Sequence, residues 1–233
     1  MKRYTLLILL GLFCAHTLLA QDADSLKFKQ VHIGLLLQGN IAGESMYIAE
    51  SRMSAYPGVG ADAGLFVDYH ITRDIVVEVQ LLLALQNGSY VATDYDPGFL
   101  FWHRHNLSEL KDVRLVGLDL PFFLIRRLPL RDGCLRLGAG AYTHFTFDTW
   151  CPGDRDFVTP YKRIVSTDEL TGKPRYALSD THAGFGVLIG YEFESGLQVN
   201  FGARYSILDI INYESRYSHA HPYKITCGLG WRF

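Results

Sequence analysis

Hydrophobic and polar residues alternate along most of this chain with a period of two, which places the two sets on opposite faces of β-strands. The first strand is predicted at about 29–39, with Val31, Ile33, Leu35 and Leu37 on one face and His32, Gly34 and Gln38 on the other. The second, about 59–70, sets Ala61, Ala63, Leu65, Val67 and Tyr69 against Gly60, Asp62, Gly64 and Asp68. The third, about 75–90, carries Ile75 to Leu85 at odd positions and Glu78, Gln80 and Gln86 at even ones. The fourth and fifth fall at about 113–127 and 134–149. In the fifth, Leu135 through Phe147 at odd positions oppose Arg136, Tyr142, His144 and Asp148. The sixth, 180–193, and the seventh, 197–211, repeat the pattern. The last runs from Tyr223 to Phe233, where Tyr, Ile, Cys, Leu, Trp and Phe alternate with Lys, Thr, Gly, Gly and Arg.

The strands number eight, and the connections alternate long and short: about 40–58, 71–74, 91–112, 128–133, 150–179, 194–196 and 212–222. An even strand count with loop lengths sorted to two ends is the pattern of a bacterial outer-membrane barrel. The fold class expected is all-β: an eight-stranded antiparallel up-and-down transmembrane β-barrel with short periplasmic turns and long extracellular loops. The rival is a soluble eight-stranded cup with its apolar face inward. That face holds many Phe, Tyr, Leu and Trp side chains, too bulky for an interior just wide enough to be filled. The opposite face is rich in glycine with scattered Arg, Glu, Asp and His, which suits a crowded lumen. The face assignment predicts that a charge at Thr226 costs less than one at Leu229 unless it clashes with Arg204 or Arg232.

The first residues change the picture from fold to destination. Lys2 and Arg3 precede the apolar run 6–13, and small and polar residues follow up to Ala20. This has the layout of a secretory signal and is too short for a membrane span. Cleavage is expected after Ala20, with Ala23 as the alternative, because Leu18 is not the small residue preferred near the cut. Phe13 before Cys14 does not fit a lipoprotein site. The expected organisation is a signal peptide at 1–20, a short periplasmic segment at 21–28 and an outer-membrane barrel domain at 29–233. The mature chain loses two cations and no acids, so its formal charge is 20 − 24 = −4. It has no basic excess to attract nucleic acid. Of the remaining cysteines, Cys134 starts a strand at one end, Cys151 lies in a loop at the other and Cys227 faces lipid, so no disulfide is expected.

The fourth strand, Gly117-Leu-Asp119-Leu-Pro121-Phe-Phe-Leu-Ile125-Arg126, resembles the signature strand of the PorT-like family of outer-membrane barrels. There an acidic residue, an apolar residue and proline precede an apolar run and a basic residue. The glycine-rich Leu137-Gly-Ala-Gly-Ala-Tyr142 resembles that family's next strand. The resemblance implies an eight-stranded outer-membrane barrel and a link to secretion across the outer membrane. Pro121 has no N–H to give to a ladder and is expected to mark a bulge.

No HExxH, GxSxG or P-loop pattern is present. The one constellation of chemical interest is His144 and Asp148 on the fifth strand with Asp180 and His182 on the sixth, all of lumen-facing parity near the extracellular end. It could hold a metal or serve a lipid-modifying hydrolase, but no nucleophile is placed beside the histidines. Lumenal hydrogen bonding accounts for it more simply. No catalytic, cofactor-binding or metal residue is therefore assigned, and no cofactor is expected. Lumenal Glu78, Asp119 and Glu192 are expected to meet Arg136, Arg204, Lys224 and Arg232. The expected function is a non-enzymatic structural or interaction barrel with a closed polar lumen, an accessory of secretion or outer-membrane assembly. Its expected partners are outer-membrane lipid, the barrel-assembly machinery through the C-terminal strand, and secretion proteins. A lipid-modifying enzyme and a small-solute pore are the alternatives.

Overall fold

The computed structural model describes residues 31–47, 54–91, 111–150, 164–167, 174–176, 179–210 and 219–233. The stretch 1–20 expected to be a signal peptide, the segment 21–28 and Cys151 lie outside the described residues. The strands are β1 (Val31–Tyr47), β2 (Ser54–His70), β3 (Ile75–Val91), β4 (Lys111–Leu130), β5 (Gly133–Trp150), β6 (Ile164–Thr167), β7 (Pro174–Tyr176), β8 (Thr181–Phe193), β9 (Leu197–Ser206) and β10 (His219–Arg232). Eight of them close into an antiparallel barrel in the order β1-β10-β9-β8-β5-β4-β3-β2. β6 and β7 pair with each other inside the longest connection, where a loop was expected. No helix among the described residues is long and apolar enough to cross a membrane.

Closure is made by the first and last barrel strands, paired from Gly34 opposite Arg232 to Tyr47 opposite His219. Beyond the last pair of that ladder, Phe233 N donates to Ile33 O at 2.9 Å. Tight turns at 71–74, 131–132 and 194–196 share one end of the barrel, and Gly196 adopts φ +85°, a conformation that a Cβ would strain. The strands run further than the alternation suggests at the opposite end. β1 continues to Tyr47 and β2 begins at Ser54, so most of the expected 40–58 loop is strand. The reason is that Asn40, Ala42 and Glu44 still point inward, which keeps the two-residue period with polar residues. β9 instead stops early, at Ser206 rather than 211. There the Ser206 hydroxyl has both Ala183 O, at 3.1 Å, and Leu208 O, at 2.9 Å, within reach of its one proton.

The faces are those of a barrel in lipid. Ile33, Leu35, Leu37, Leu81, Leu83, Phe185, Val187, Ile225, Leu229 and Trp231 are exposed on the outer wall. Asp62, Asp68, Glu78, Asp119, Arg136 and Glu192 are buried inside. A soluble cup would show the reverse. Cys134 is buried, Cys227 is exposed on the wall, and both are free thiols. Lumenal glycines make room for bulky neighbours: a Cβ on Gly34 would lie 2.2 Å from Phe66 Cζ.

Pro121 does not mark a bulge. The β3–β4 ladder skips Leu120 and Pro121 but resumes in the same register, Val79 with Phe122 and Leu82 with Asp119. The missing N–H costs the ladder a bond without changing its count. The bulge lies instead between β4 and β5, where Val116 faces Asp148 and Gly117 faces Thr146, leaving Phe147 extra. A second irregularity falls between Pro57 and Gly60 on β2.

Candidate functional site: two charged layers beneath a vestibule at the long-loop end

The inward side chains form two ionic layers. In the layer nearer the tight turns, Arg136 is 1% exposed and lies at the centre. Its guanidinium pairs with Glu78, donates to Gln198 Oε1, and donates to Asn200 Oδ1 at 3.2 Å. Asp68 and Glu192 stand 3.9 and 3.8 Å away. Glu192 is also held by Arg232 and, at 3.0 Å, by Arg127. Three carboxylates therefore meet three guanidinium groups. The upper layer centres on two aspartates. Asp62 accepts from Gln38 at 3.2 Å, Asn40 at 2.8 Å and Lys224 at 3.2 Å. Asp119 accepts from Lys224 at 2.6 Å and Arg204 at 2.9 Å. Gln80 links the layers: its amide donates to Glu78 at 2.6 Å and its carbonyl accepts from Arg204 at 3.4 Å. Charges in such a space have to be matched, since an unpaired one would carry its full desolvation cost. The expected pairing of Glu78, Asp119 and Glu192 with the lumenal cations is what the structure shows. Arg127 joins this set and was missing from the expectation.

Above the upper layer lies a vestibule of about 40 Å³, reached from the long-loop end and lined by Glu44, Tyr142, His144, His182 and Lys224 among others. At the tight-turn end, a separate cleft of about 410 Å³ is floored by Glu192 and its arginines. The two share no lining residue.

Of the four residues singled out in sequence, only the histidines come together. The rings of His144 and His182 stack with centroids 4.8 Å apart. Asp148 is exposed and faces away from them, because the bulge at Phe147 reverses the parity of everything beyond it; Thr149 is buried in its place. Asp180 is exposed in the bend before β8, its carboxylate near the Thr181 hydroxyl at 3.4 Å. The carboxylate that does reach the histidines is Asp119, directly opposite His144 in the β4–β5 register, with His144 Nδ1 2.5 Å from Asp119 Oδ1. That partner was legible, because a two-residue turn at 131–132 fixes which β4 residue faces which β5 residue. No group of three metal-ligating side chains occurs among the described residues.

A carboxylate only accepts, so the proton in that bond is carried by Nδ1 of the imidazole. The Thr146 hydroxyl lies 3.2 Å from Nε2, on the other side of the ring. No nucleophile was expected beside the histidines; here a hydroxyl stands two residues along the same strand. Gly117 gives the ring its place. A Cβ there would lie 2.6 Å from His144 Cε1 and 2.6 Å from Phe145 O. Gly117→Ala is accordingly expected to lower stability by about 1–3 kcal/mol, as overpacking does, read from the urea midpoint of the folded barrel.

No family model matches the chain, and no curated protein matches it. Among solved structures it is similar to Ail, the attachment invasion locus protein of Yersinia pestis, in complex with a heparin analogue: 12% identity over 87% of this chain and 97% of that one, TM-score 0.40. It is also similar to Neisserial surface protein A, 15% identical over 86% and 97%, TM-score 0.43. The outer membrane protein AlkL in lipid bilayers is 14% identical over 91% and 95%, TM-score 0.39. These likenesses are distant, and nothing about the activity of this chain follows from them.

Proposed function

We propose that this chain is an integral outer-membrane barrel that serves as a closed, non-conducting wall and acts through interaction rather than catalysis. The observation that carries this reading is the pair of charge-matched layers joined through Gln80, which fill the lumen between the vestibule and the cleft. An eight-stranded interior is just wide enough to be filled by side chains, and aqueous channels belong to barrels of about 16–18 strands. Planar-bilayer recordings of refolded protein are expected to show no stable conductance steps. Reproducible steps of porin size would favour the pore reading instead.

A role beside the secretion or assembly machinery of the outer membrane is supported only by the fourth-strand resemblance to PorT-like proteins. Its test is co-purification of named secretion components with tagged protein from native outer membranes. The C-terminal strand is proposed to be what the barrel-assembly machinery engages. Deleting Phe233 removes the bond to Ile33 O and is expected to reduce the heat-modifiable, folded population; an unchanged amount at native expression would argue against it.

The second reading, a hydrolase acting on outer-membrane lipid, is favoured by one observation: hydroxyl, imidazole and carboxylate follow in order through Thr146, His144 and Asp119. Against it, the other oxygen of Asp119 is occupied by Lys224 and Arg204, as a structural hub requires. Ester hydrolysis by the refolded barrel that disappears in both Thr146→Ala and His144→Ala would decide for the enzyme.

A further inference from the structure

The outer face of β4 marks both edges of the hydrocarbon. Arg114 and Arg126 point outward, and every outward residue between them, Val116, Leu118, Leu120, Phe122 and Leu124, is apolar. The arginines are 126 − 114 = 12 residues apart. At about 3.3 Å per residue and a tilt of about 40°, that is about 30 Å along the membrane normal. The apolar band of such barrels is about 25 Å. Arg126 therefore sits at headgroup depth on the tight-turn side.

Its surroundings there are unusual for a cation. Its cross-strand neighbours on the same face are Ile75 on β3 and Leu137 on β5. Its guanidinium makes no hydrogen bond or ion pair with another described residue. Towards the membrane centre it heads an apolar groove of about 470 Å³ between Leu124 and Leu137, floored at Ala139. Opposite charges stand on the two nearest turns in equal number, Arg73 and Arg131 against Asp74 and Asp132, so those turns carry no net charge to attract anions.

We propose that this groove is a binding site for one anionic glycerophospholipid of the periplasmic leaflet, its phosphodiester on the Arg126 guanidinium and an acyl chain lying between Leu124 and Leu137. The inference rests on the outer-membrane reading above. A guanidinium offers a planar pair of donors matched to phosphate oxygens, and a lipid is the one molecule at this depth that brings phosphate and hydrocarbon together. An anionic headgroup is preferred to phosphatidylethanolamine because it carries no ammonium of its own to compete for the phosphate.

The test is native mass spectrometry of the whole barrel, refolded in vesicles of equal phosphatidylglycerol and phosphatidylethanolamine and released with its bound lipid. Folding is scored separately by heat-modifiable mobility. The folded wild type is expected to retain one phosphatidylglycerol in preference to phosphatidylethanolamine. Arg126→Gln is expected to reduce that retention about tenfold, as loss of a charged hydrogen bond does. Ala139→Phe, which fills the groove and leaves the charge, is expected to reduce it as well. Arg131→Gln removes an equal charge from a neighbouring turn and is expected to change nothing. Equal retention in wild type and Arg126→Gln would overturn the proposal, as would an Arg131→Gln loss as large as that of Arg126→Gln. So would equal retention of both lipids, or no retained lipid on folded wild type. A chain that never reached the heat-modifiable state in vesicles would remove the membrane-barrel reading itself, and this site with it.

Discussion

Replacing Arg136 by methionine is expected to destabilise the barrel by about 3–5 kcal/mol, the cost of breaking a buried ion pair from one side. The size follows from what is left behind. Asp68 and Glu78 are directly opposite each other in the β2–β3 ladder and both face inward. Arg136 is the cation between them, paired with Glu78 and 3.9 Å from Asp68. Without it, two buried carboxylates face each other with no counter-charge. Glu192 is less affected, since Arg127 and Arg232 still hold it. Methionine keeps most of the volume, so the loss reports charge and not a cavity. Arg136→Lys is expected to fall between wild type and Arg136→Met: it restores one charge but not the fork that reaches Gln198 and Asn200 together. Arg136→Met combined with Glu78→Gln should recover part of the loss, because it removes one of the stranded acids. The measurement is the urea midpoint of barrel folded in lipid vesicles. A change of less than about 0.5 kcal/mol, the usual effect of an unimportant surface change, would mean that the lower layer is hydrated and loosely held, and the closed-lumen proposal would weaken with it.

The alternation of the chain fixes which way each side chain points until a bulge intervenes. His144 and His182 lie inward as their parity says, and they meet. Asp148 has the same parity as His144 but lies beyond the extra residue Phe147, so it faces the other way. Nothing local in Thr146-Phe147-Asp148 announces the bulge; it depends on how β4 and β5 share their ladder. Pro121 shows the opposite error. A missing donor is visible in sequence, but whether the sheet answers with an extra residue or merely skips a bond is decided by the neighbouring strands. The apolar alternation stops short of the end of β1 because Asn40, Ala42 and Glu44 are not large apolar residues, although they keep the period. Room inside the lumen was not legible either. Thr226 faces inward as expected, yet a Cβ on Gly202 would lie 2.7 Å from its hydroxyl. The Thr226 hydroxyl occupies the room that a side chain at 202 would need, and the expectation that arginine at 226 costs less than arginine at 229, unless it clashes with Arg204 or Arg232, is checked by the same unfolding titration. Face is a property of one strand, whereas room is a property of all eight.

The outer wall allows a sharper test of membrane placement, because there depth is the only variable. Leu229 is 56% exposed and stands between Leu37 on β1 and Val199 on β9, well inside the outward apolar run of β10. Leu229→Arg puts a guanidinium where the surroundings offer only hydrocarbon, and the expected cost is about 2–4 kcal/mol. Ile33 has similar exposure, 52%, but lies at the tight-turn end, where the chain terminus bonds to its carbonyl. From there an arginine can extend its stem and leave its head in the headgroup layer. Ile33→Arg should therefore cost about 0–1 kcal/mol. Neither substitution touches the lumen, so the ionic layers are common to both variants and cancel in the comparison. Unfolding titrations of the two variants and wild type in the same vesicles give the difference directly. A gap of about 2 kcal/mol or more places Leu229 in the hydrocarbon. Equal costs would mean that position 229 and position 33 share one environment, and an apolar wall with no depth gradient belongs against protein rather than in a bilayer.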